Sequence, residues 1–372
     1  MAGIYIHIPF CKQACTYCDF HFSVNTRAKS DLIDAICIEA ERSKDYLNTT
    51  SIETIYFGGG TPSILNEEEL GKLLNHLSKF YSWSDQAEIT IECNPDDLNE
   101  DKLHELKKLG FNRLSIGLQS FNDAELKWMN RAHTSIDSID SVKRAQDAGF
   151  NNITIDLIYG SKFSDLNSWD KTLQTAIELN VQHISAYNLT IEKKTKLGVS
   201  YQKGVEPAVN DDLSAEQFKL MISKLESNGF IQYEISNFGK ENYFSKHNSN
   251  YWLGATYLGL GPSAHSFNGN SRQWNVSSNS AYINALNKEE TYFEKETLSL
   301  EERFNEYILT RLRTIWGCSR KDIEQQFGSQ YLTAFDKVLS KYQLYFYVVD
   351  DVVTLNLEGK LRADFLASEF FI

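Results

Sequence analysis

The sequence predicts an α/β fold: six parallel β/α units forming an open, TIM-like partial (β/α)6 barrel, followed by a mainly helical, winged-helix-like domain. Three features of the 372-residue chain predict it. Across roughly the first 235 residues, short apolar runs rich in β-branched residues and tyrosine alternate with longer amphipathic segments. Alternation of that kind implies parallel strand pairing with right-handed crossovers. The stretches "LGFNRLSIG" and "AGFNNITIDL" also echo each other, as if one β/α unit were reused.

"IYIHI" (4–8), "TIYFGGG" (54–60), "EITIEC" (88–93), "RLSIGL" (113–118), "NITIDLIYG" (152–160) and "HISAYNL" (183–189) read as the six buried strands. Between them, "NEEELGKLLNHL" opens at Asn66 with Glu69 three residues later, the pairing of a capping box, and carries Leu70, Leu73, Leu74 and Leu77 on one face. "NEDKLHELKKLG" starts acidic and closes on Lys107, Lys108 and Gly110, as the helix dipole and glycine C-caps favour. Helices closing on Gly149 and Gly229 repeat the plan. Residues 1–235 are thus assigned to the barrel. Residues 236–298, with "HNSNYW" and "YLGLGPSAHSF", lose periodicity and read as loops and short strands capping it. Residues 299–372 begin with a helix carrying Phe304, Ile308 and Leu312, add a second after "SRKD" (319–322), and turn a hairpin at Asp350–Asp351.

Composition excludes several classes. A net charge of −13 opposes a polyanion-binding surface, and the winged-helix-like tail shows no basic stripe, so no nucleic-acid partner is expected. No run approaches the roughly 18 apolar residues of a membrane span. The N-terminus lacks a signal-peptide pattern, which predicts a cytoplasmic location. Six cysteines are too sparse for a disulfide framework, and Cys37, Cys93 and Cys318 read as structural.

Cys11, Cys15 and Cys18 crowd together in "CKQACTYC", just after the first strand. Thiolates bind soft or borderline metals, so the candidates are an iron–sulfur cluster or zinc. Zinc would need a fourth donor such as His7 or His21, and three ordinary core cysteines are the plainest alternative. "GGGTP", "ECNP", "LQSF" and "DLIYG" also stand at strand C-terminal ends, the functional rim of such barrels. Gly58, Gly59 and Gly60 there leave N–H groups free for a polar ligand or make a tight turn. Glu92 is placed to accept from an ammonium or a hydroxyl. Gln119, Arg131 and Asp156 gain meaning only by sharing that rim.

C-x3-C-x2-C at that position resembles the radical S-adenosylmethionine superfamily. Read in order, "GIYIHIPFCKQACTYCDF", "YFGGGTPSIL", "IECNPDDL", "RLSIGLQSFND", "NRAH", "IDLIYG", "HISAYNLTIE" and "HNSNYW" resemble its HemN/HemW group, over most of the chain. The resemblance implies a [4Fe–4S] cluster on Cys11, Cys15 and Cys18, with S-adenosylmethionine supplying the missing ligand. It places cofactor contacts at Tyr5, Tyr17, Gly59, Gly60, Thr61, Glu92, Gln119, Arg131 and Asp156. The group holds oxygen-independent coproporphyrinogen III oxidases and haem chaperones. Those oxidases carry a further cysteine where this chain has Phe20, and an N-terminal extension that this chain lacks. "HNSNYW" matches the motif tied to haem in the chaperones, with His247 the axial-ligand candidate and Tyr251 and Trp252 packing on the macrocycle.

The expectation is a haem-binding chaperone delivering haem to membrane or respiratory client enzymes, with a conditional homodimer linked to cluster loading. The alternatives are oxidative decarboxylation of coproporphyrinogen III and a zinc-bearing binding module with a winged-helix tail. One departure stands out: Ser161-Lys162 follows "DLIYG" where the group has Leu-Pro.

Overall fold

The computed structural model describes residues 2–372. All six predicted strands form: β1 (Ala2–Ile8), β2 (Ser51–Gly59), β3 (Ser82–Cys93), β4 (Arg113–Gln119), β5 (Ile153–Tyr159) and β6 (His183–Asn188), each parallel to the next. β7 (Ile231–Glu234) and β8 (Asn237–Gly239) continue the sheet antiparallel beyond β6. At the other side β9 (Thr256–Leu260) runs parallel to β1, followed outward by antiparallel β10 (His265–Phe267), β11 (Ser271–Asn275) and β12 (Phe293–Thr297). Residues 236–298 therefore extend one twelve-stranded sheet at both of its sides, instead of lying over an open end.

Period-two alternation gives this sheet two unlike faces. One carries Ile4, Ile6, Ile55, Phe57, Ile91, Leu114 and Ile155, fully buried beneath the helices Lys29–Arg42, Glu67–Leu77, Glu100–Lys108, Ser135–Asp147 and Leu166–Glu178 in one core. The other carries Thr54, Glu88, Thr90, Arg113, Ser115, Thr154, His183 and Ser185, polar and equally buried. A polar face out of water must satisfy itself with hydrogen bonds. Arg113 donates to Thr154 Oγ1, His183 Nε2 is bonded to Tyr233 OH at 2.7 Å, and Glu88 accepts from the backbone N–H groups of Lys246 and His247 at 3.0 Å each. This face is the barrel interior; most of its polar groups are paired, while Thr90 Oγ1, Arg113 Nε and His183 Nδ1 have no hydrogen-bond partner.

The helix ends follow their sequence signals. Asn66 and Glu69 form a reciprocal capping box at 2.9 Å both ways, a device that contributes about 1 kcal/mol. The echoed "GF" pairs are Schellman closures: Gly110 turns left-handed (φ +90°), and Phe111 N–H reaches back to Leu106 O at 3.1 Å while its ring is buried. The same bond joins Phe150 to Ala145 at 3.0 Å. The internal echo is thus a recurring helix-to-strand turn with an apolar anchor.

Residues 304–370 contribute a separate hydrophobic cluster around Phe304, Ile308, Leu312, Phe335 and Leu366. Against it lies a three-stranded sheet of β13 (Cys318–Ser319), β15 (Val352–Leu355) and β14 (Phe346–Val349). Asp350 and Asp351 both take positive φ (47° and 73°) and join Val349 to Val352 in a two-residue hairpin of the type whose twist matches its strands. Cys37, Cys93 and Cys318 are buried free thiols. No helix among the described residues is long and apolar enough to cross a membrane.

Candidate functional site

The loop after β1 carries Cys11, Cys15 and Cys18, all half-buried, and backbone bonds hold it shut. Ser23 N–H donates to Pro9 O at 2.6 Å and Cys11 N–H to Ser23 O at 3.0 Å. From outside the loop, Thr16 N–H reaches Met129 O at 3.0 Å and Leu197 N–H reaches Thr16 O at 2.8 Å. Phe10 anchors the loop's start with a fully buried ring.

A closed run of contacts then links two of the cysteines. Thr61 Oγ1 donates to Cys11 Sγ at 3.5 Å, and Asn94 Nδ2 donates to Thr61 Oγ1 at 3.3 Å. Arg131 donates to Asn94 Oδ1 at 2.7 Å, to Gly117 O at 2.8 Å and to Cys15 Sγ at 3.3 Å. Burial pushes the Cys18 thiol up to about 11, with the neighbouring thiols adding to it. Three thiolates in one loop repel each other and need a shared positive partner to ionise together. Arg131 supplies one fixed charge, and its Nε is buried without a partner. Tyr17 beside it is half-buried, and desolvation with the Cys15 and Cys18 charges raises its phenol against the opposing pull of Arg131.

The glycine turn does something other than expected. Gly59 N–H donates to Glu92 Oε2 at 3.1 Å, Gly60 N–H to Ile8 O at 2.9 Å and Thr61 N–H to Phe10 O at 2.7 Å. Those donors are all engaged inside the protein, so none is free for a ligand, and the turn can offer only carbonyl oxygens and close approach. A Cβ on Gly60 would stand 2.7 Å from Phe10 O. The glycines therefore let the β2 turn lie directly on the cysteine loop backbone.

Glu92 also accepts from Tyr56 OH at 2.9 Å, and burial pushes its carboxyl up to about 7. Asp156, bonded by Ser115 Oγ at 3.3 Å, is pushed up to about 6 for the same reason. Gln119 ends β4 in the left-handed region (φ 68°) at a register shift against β5. Such strain in a side chain with a Cβ is typical of functional positions. Tyr5 stacks on Tyr56 at 6.1 Å and is hydrogen-bonded to His7 Nδ1 at 3.1 Å. Two connected groups result: Cys11, Thr61, Asn94, Arg131 and Cys15 in one, and Gly59, Glu92, Tyr56 and Tyr5 in the other. Asn94 and Tyr56, which hold these groups together, were not singled out from sequence; their only signal was membership of "ECNP" and of the second strand.

His247 stands apart. Its helix, Lys246–Trp252, seats the ring in the barrel interior, where Nδ1 is bonded to Thr54 Oγ1 and Nε2 to Tyr251 OH, both at 2.8 Å. The ring stacks on Tyr56 at 5.0 Å, and burial lowers its pKa to about 3. Each ring nitrogen is engaged in a hydrogen bond, and the side chain is buried. Its position makes it a brace under Tyr56 and, through Tyr56, under Glu92.

The Ser161-Lys162 departure is accommodated locally. Ser161 Oγ donates to the buried Glu125 carboxylate, and Lys162 pairs with Glu206 at 2.7 Å over the Trp128 ring. Among the described residues no three His, Cys, Asp or Glu side chains converge on a point as a single metal ion requires. The thiols of a cluster need no such point, because each binds a different iron.

Comparison with known proteins adds the following. The radical SAM superfamily profile matches residues 5–176. The heme chaperone HemW of Bacillus subtilis is 36% identical over 342 residues, covering 91% of this chain and 90% of that protein. HemW of Lactococcus lactis is 33% identical, covering 90% and 86%. The structure of the coproporphyrinogen III oxidase HemN from Escherichia coli superposes with a TM-score of 0.86 over 99% of this chain and 89% of that one, at 22% identity. That likeness establishes the fold.

Proposed function

The chain belongs to the radical SAM superfamily, among the HemW proteins, and on that premise we propose that it is a cytoplasmic haem chaperone. In this reading it carries a [4Fe–4S] cluster and S-adenosylmethionine, delivers haem to haem-dependent respiratory enzymes, and pairs with a second copy when the cluster is loaded. The observation that carries it is kinship with heme chaperones HemW over nine-tenths of both chains. Phe20, 73% exposed, stands where the oxidases resembled by the sequence have a cysteine.

The residues fit the cofactors. Cys11, Cys15 and Cys18 would hold three irons. Arg131, with its orphaned Nε, suits a carboxylate, and Glu92 suits an ammonium. Tyr5, Tyr17, Gln119, Asp156 and the carbonyls of the glycine turn complete the wall for adenosine. When bound, the cluster supplies one-electron reduction of the sulfonium. The protein's own part is positioning: Arg131 holds Cys15 and the β4 backbone in register, and the Tyr5 phenol, buried beside Glu92, keeps its proton.

Anaerobic reconstitution followed by haem titration, read by absorbance, tests the reading, with coproporphyrinogen turnover assayed in the same sample. Saturable haem binding without turnover is expected; turnover without haem binding would favour the oxidase.

A pH dependence follows from Glu92. Its pKa is raised to about 7, so below that pH it is protonated and cannot accept from an ammonium. Affinity for S-adenosylmethionine should fall about fivefold from pH 7 to pH 6, a range in which the ligand's amine stays charged. Equilibrium dialysis measures it, and Glu92→Gln should be weak and flat; a wild-type profile rising toward acid would contradict the assignment.

A further inference from the structure

If the chain carries a cluster on Cys11, Cys15 and Cys18, as proposed above, the groups that donate to those sulfurs set how readily it takes an electron. A hydrogen donated to sulfur favours the electron-rich, reduced state. The three sulfurs receive unlike donors. Cys15 Sγ accepts from the Arg131 guanidinium at 3.3 Å, Cys18 Sγ from the Phe20 N–H, and Cys11 Sγ from the Thr61 hydroxyl at 3.5 Å. A guanidinium and a backbone N–H can only donate. A hydroxyl can turn either way, so the Cys11 contact is the one that needs a neighbour to orient it.

Asn94 supplies that orientation. Arg131 donates to Asn94 Oδ1 at 2.7 Å, and since a guanidinium never accepts, that end of the amide is its oxygen. The other end, Nδ2, only donates, and it faces Thr61 Oγ1 at 3.3 Å. An oxygen that receives a hydrogen from one side sends its own elsewhere, and the acceptor it meets is Cys11 Sγ. Each member of the chain is also held independently. Arg131 donates to Gly117 O at 2.8 Å, Asn94 N–H to Ser63 Oγ at 3.4 Å and Thr61 N–H to Phe10 O at 2.7 Å. Ser63 Oγ donates in turn to Asp97 at 2.6 Å, and Asp97 pairs with Lys12 of the cysteine loop. Thr61 is buried, which keeps water from competing for its hydroxyl.

We propose that Asn94 is a positioning residue for the cluster: its amide, oriented by Arg131, points the Thr61 hydroxyl at Cys11 Sγ and so raises the potential at which the cluster is reduced. Arg131 thereby acts on two cysteines, directly on Cys15 and through Asn94 and Thr61 on Cys11. An aspartate of the same shape at position 94 would accept from both neighbours, and the Thr61 hydroxyl would turn toward it and away from the sulfur.

The test is a redox titration of the anaerobically reconstituted full chain, read by electron paramagnetic resonance of the reduced cluster. It compares wild type with Thr61→Val, Thr61→Ser, Asn94→Asp and the double variant Asn94→Asp/Thr61→Val. Thr61→Val keeps the shape, removes the donor and should lower the midpoint potential, whereas Thr61→Ser keeps the hydroxyl and should stay near wild type. Asn94→Asp should lower the potential further, through its charge and the turned hydroxyl. In that background Thr61→Val should add no further fall, because the donation to sulfur is already lost. Iron content that drops in Thr61→Val and recovers in Thr61→Ser would support the same hydroxyl. A Thr61→Val potential equal to wild type would overturn the proposal, and equal falls from Thr61→Val in both backgrounds would overturn the role of Asn94, each leaving the cluster reading intact. Failure of wild type to take up iron and sulfide would overturn both.

Discussion

Arg131→Met should weaken S-adenosylmethionine binding about a hundredfold or more and lower the iron content after anaerobic reconstitution. The guanidinium is the one group tied at once to a cysteine (Cys15), to the Asn94–Thr61 link that reaches Cys11, and to the β4 carbonyl of Gly117. Methionine fills similar volume but removes the charge and every donor. A charge-assisted hydrogen bond contributes about 1.5–3 kcal/mol, so two lost to a ligand carboxylate reach the hundredfold range. Arg131→Lys keeps the charge without the planar fork and should fall between the two. Equilibrium dialysis gives the affinity and iron analysis the occupancy. Wild-type affinity in the methionine variant would remove Arg131 from the site.

Glu39→Ala should cost about 3–5 kcal/mol of stability without touching the cysteine rim. Glu39 lies fully buried on the helix Lys29–Arg42 and accepts from Gly261 N–H at 2.7 Å, Asn275 Nδ2 at 2.6 Å and Tyr282 OH. Alanine leaves Gly261 N–H and Tyr282 OH without this acceptor, and Asn275 Nδ2 with only its bond to Gly261 O at 2.8 Å, where the outer strands join β1. Burial also raises the Glu39 pKa from 4.5 to about 7. Between those values the folded state holds a proton that the unfolded chain has released, so wild-type stability declines as pH rises across that window. The alanine variant should lose this component, and urea midpoints measured from pH 5 to pH 8 read both effects. An unchanged midpoint at pH 7 would show that the network carries no stability.

The extension of the sheet by residues 236–298 was not legible, because β8 and β10 are three residues long and too short for periodicity to register. The six parallel strands and the caps were legible, since their patterns are local and repeated. The glycine turn was half legible: three consecutive glycines signal close approach, but which backbone they approach is set by the loop folded onto them.

The same division holds for the site. The sequence alone determined the alternation that makes the barrel, the three clustered thiols and the order of the rim motifs, because strand period, ligand chemistry and chain order are properties of the chain itself. Only the tertiary structure decided how His247 is held. Burial and two hydrogen bonds engage both of its ring nitrogens, and whether a ring nitrogen has a partner depends on residues as distant as Thr54.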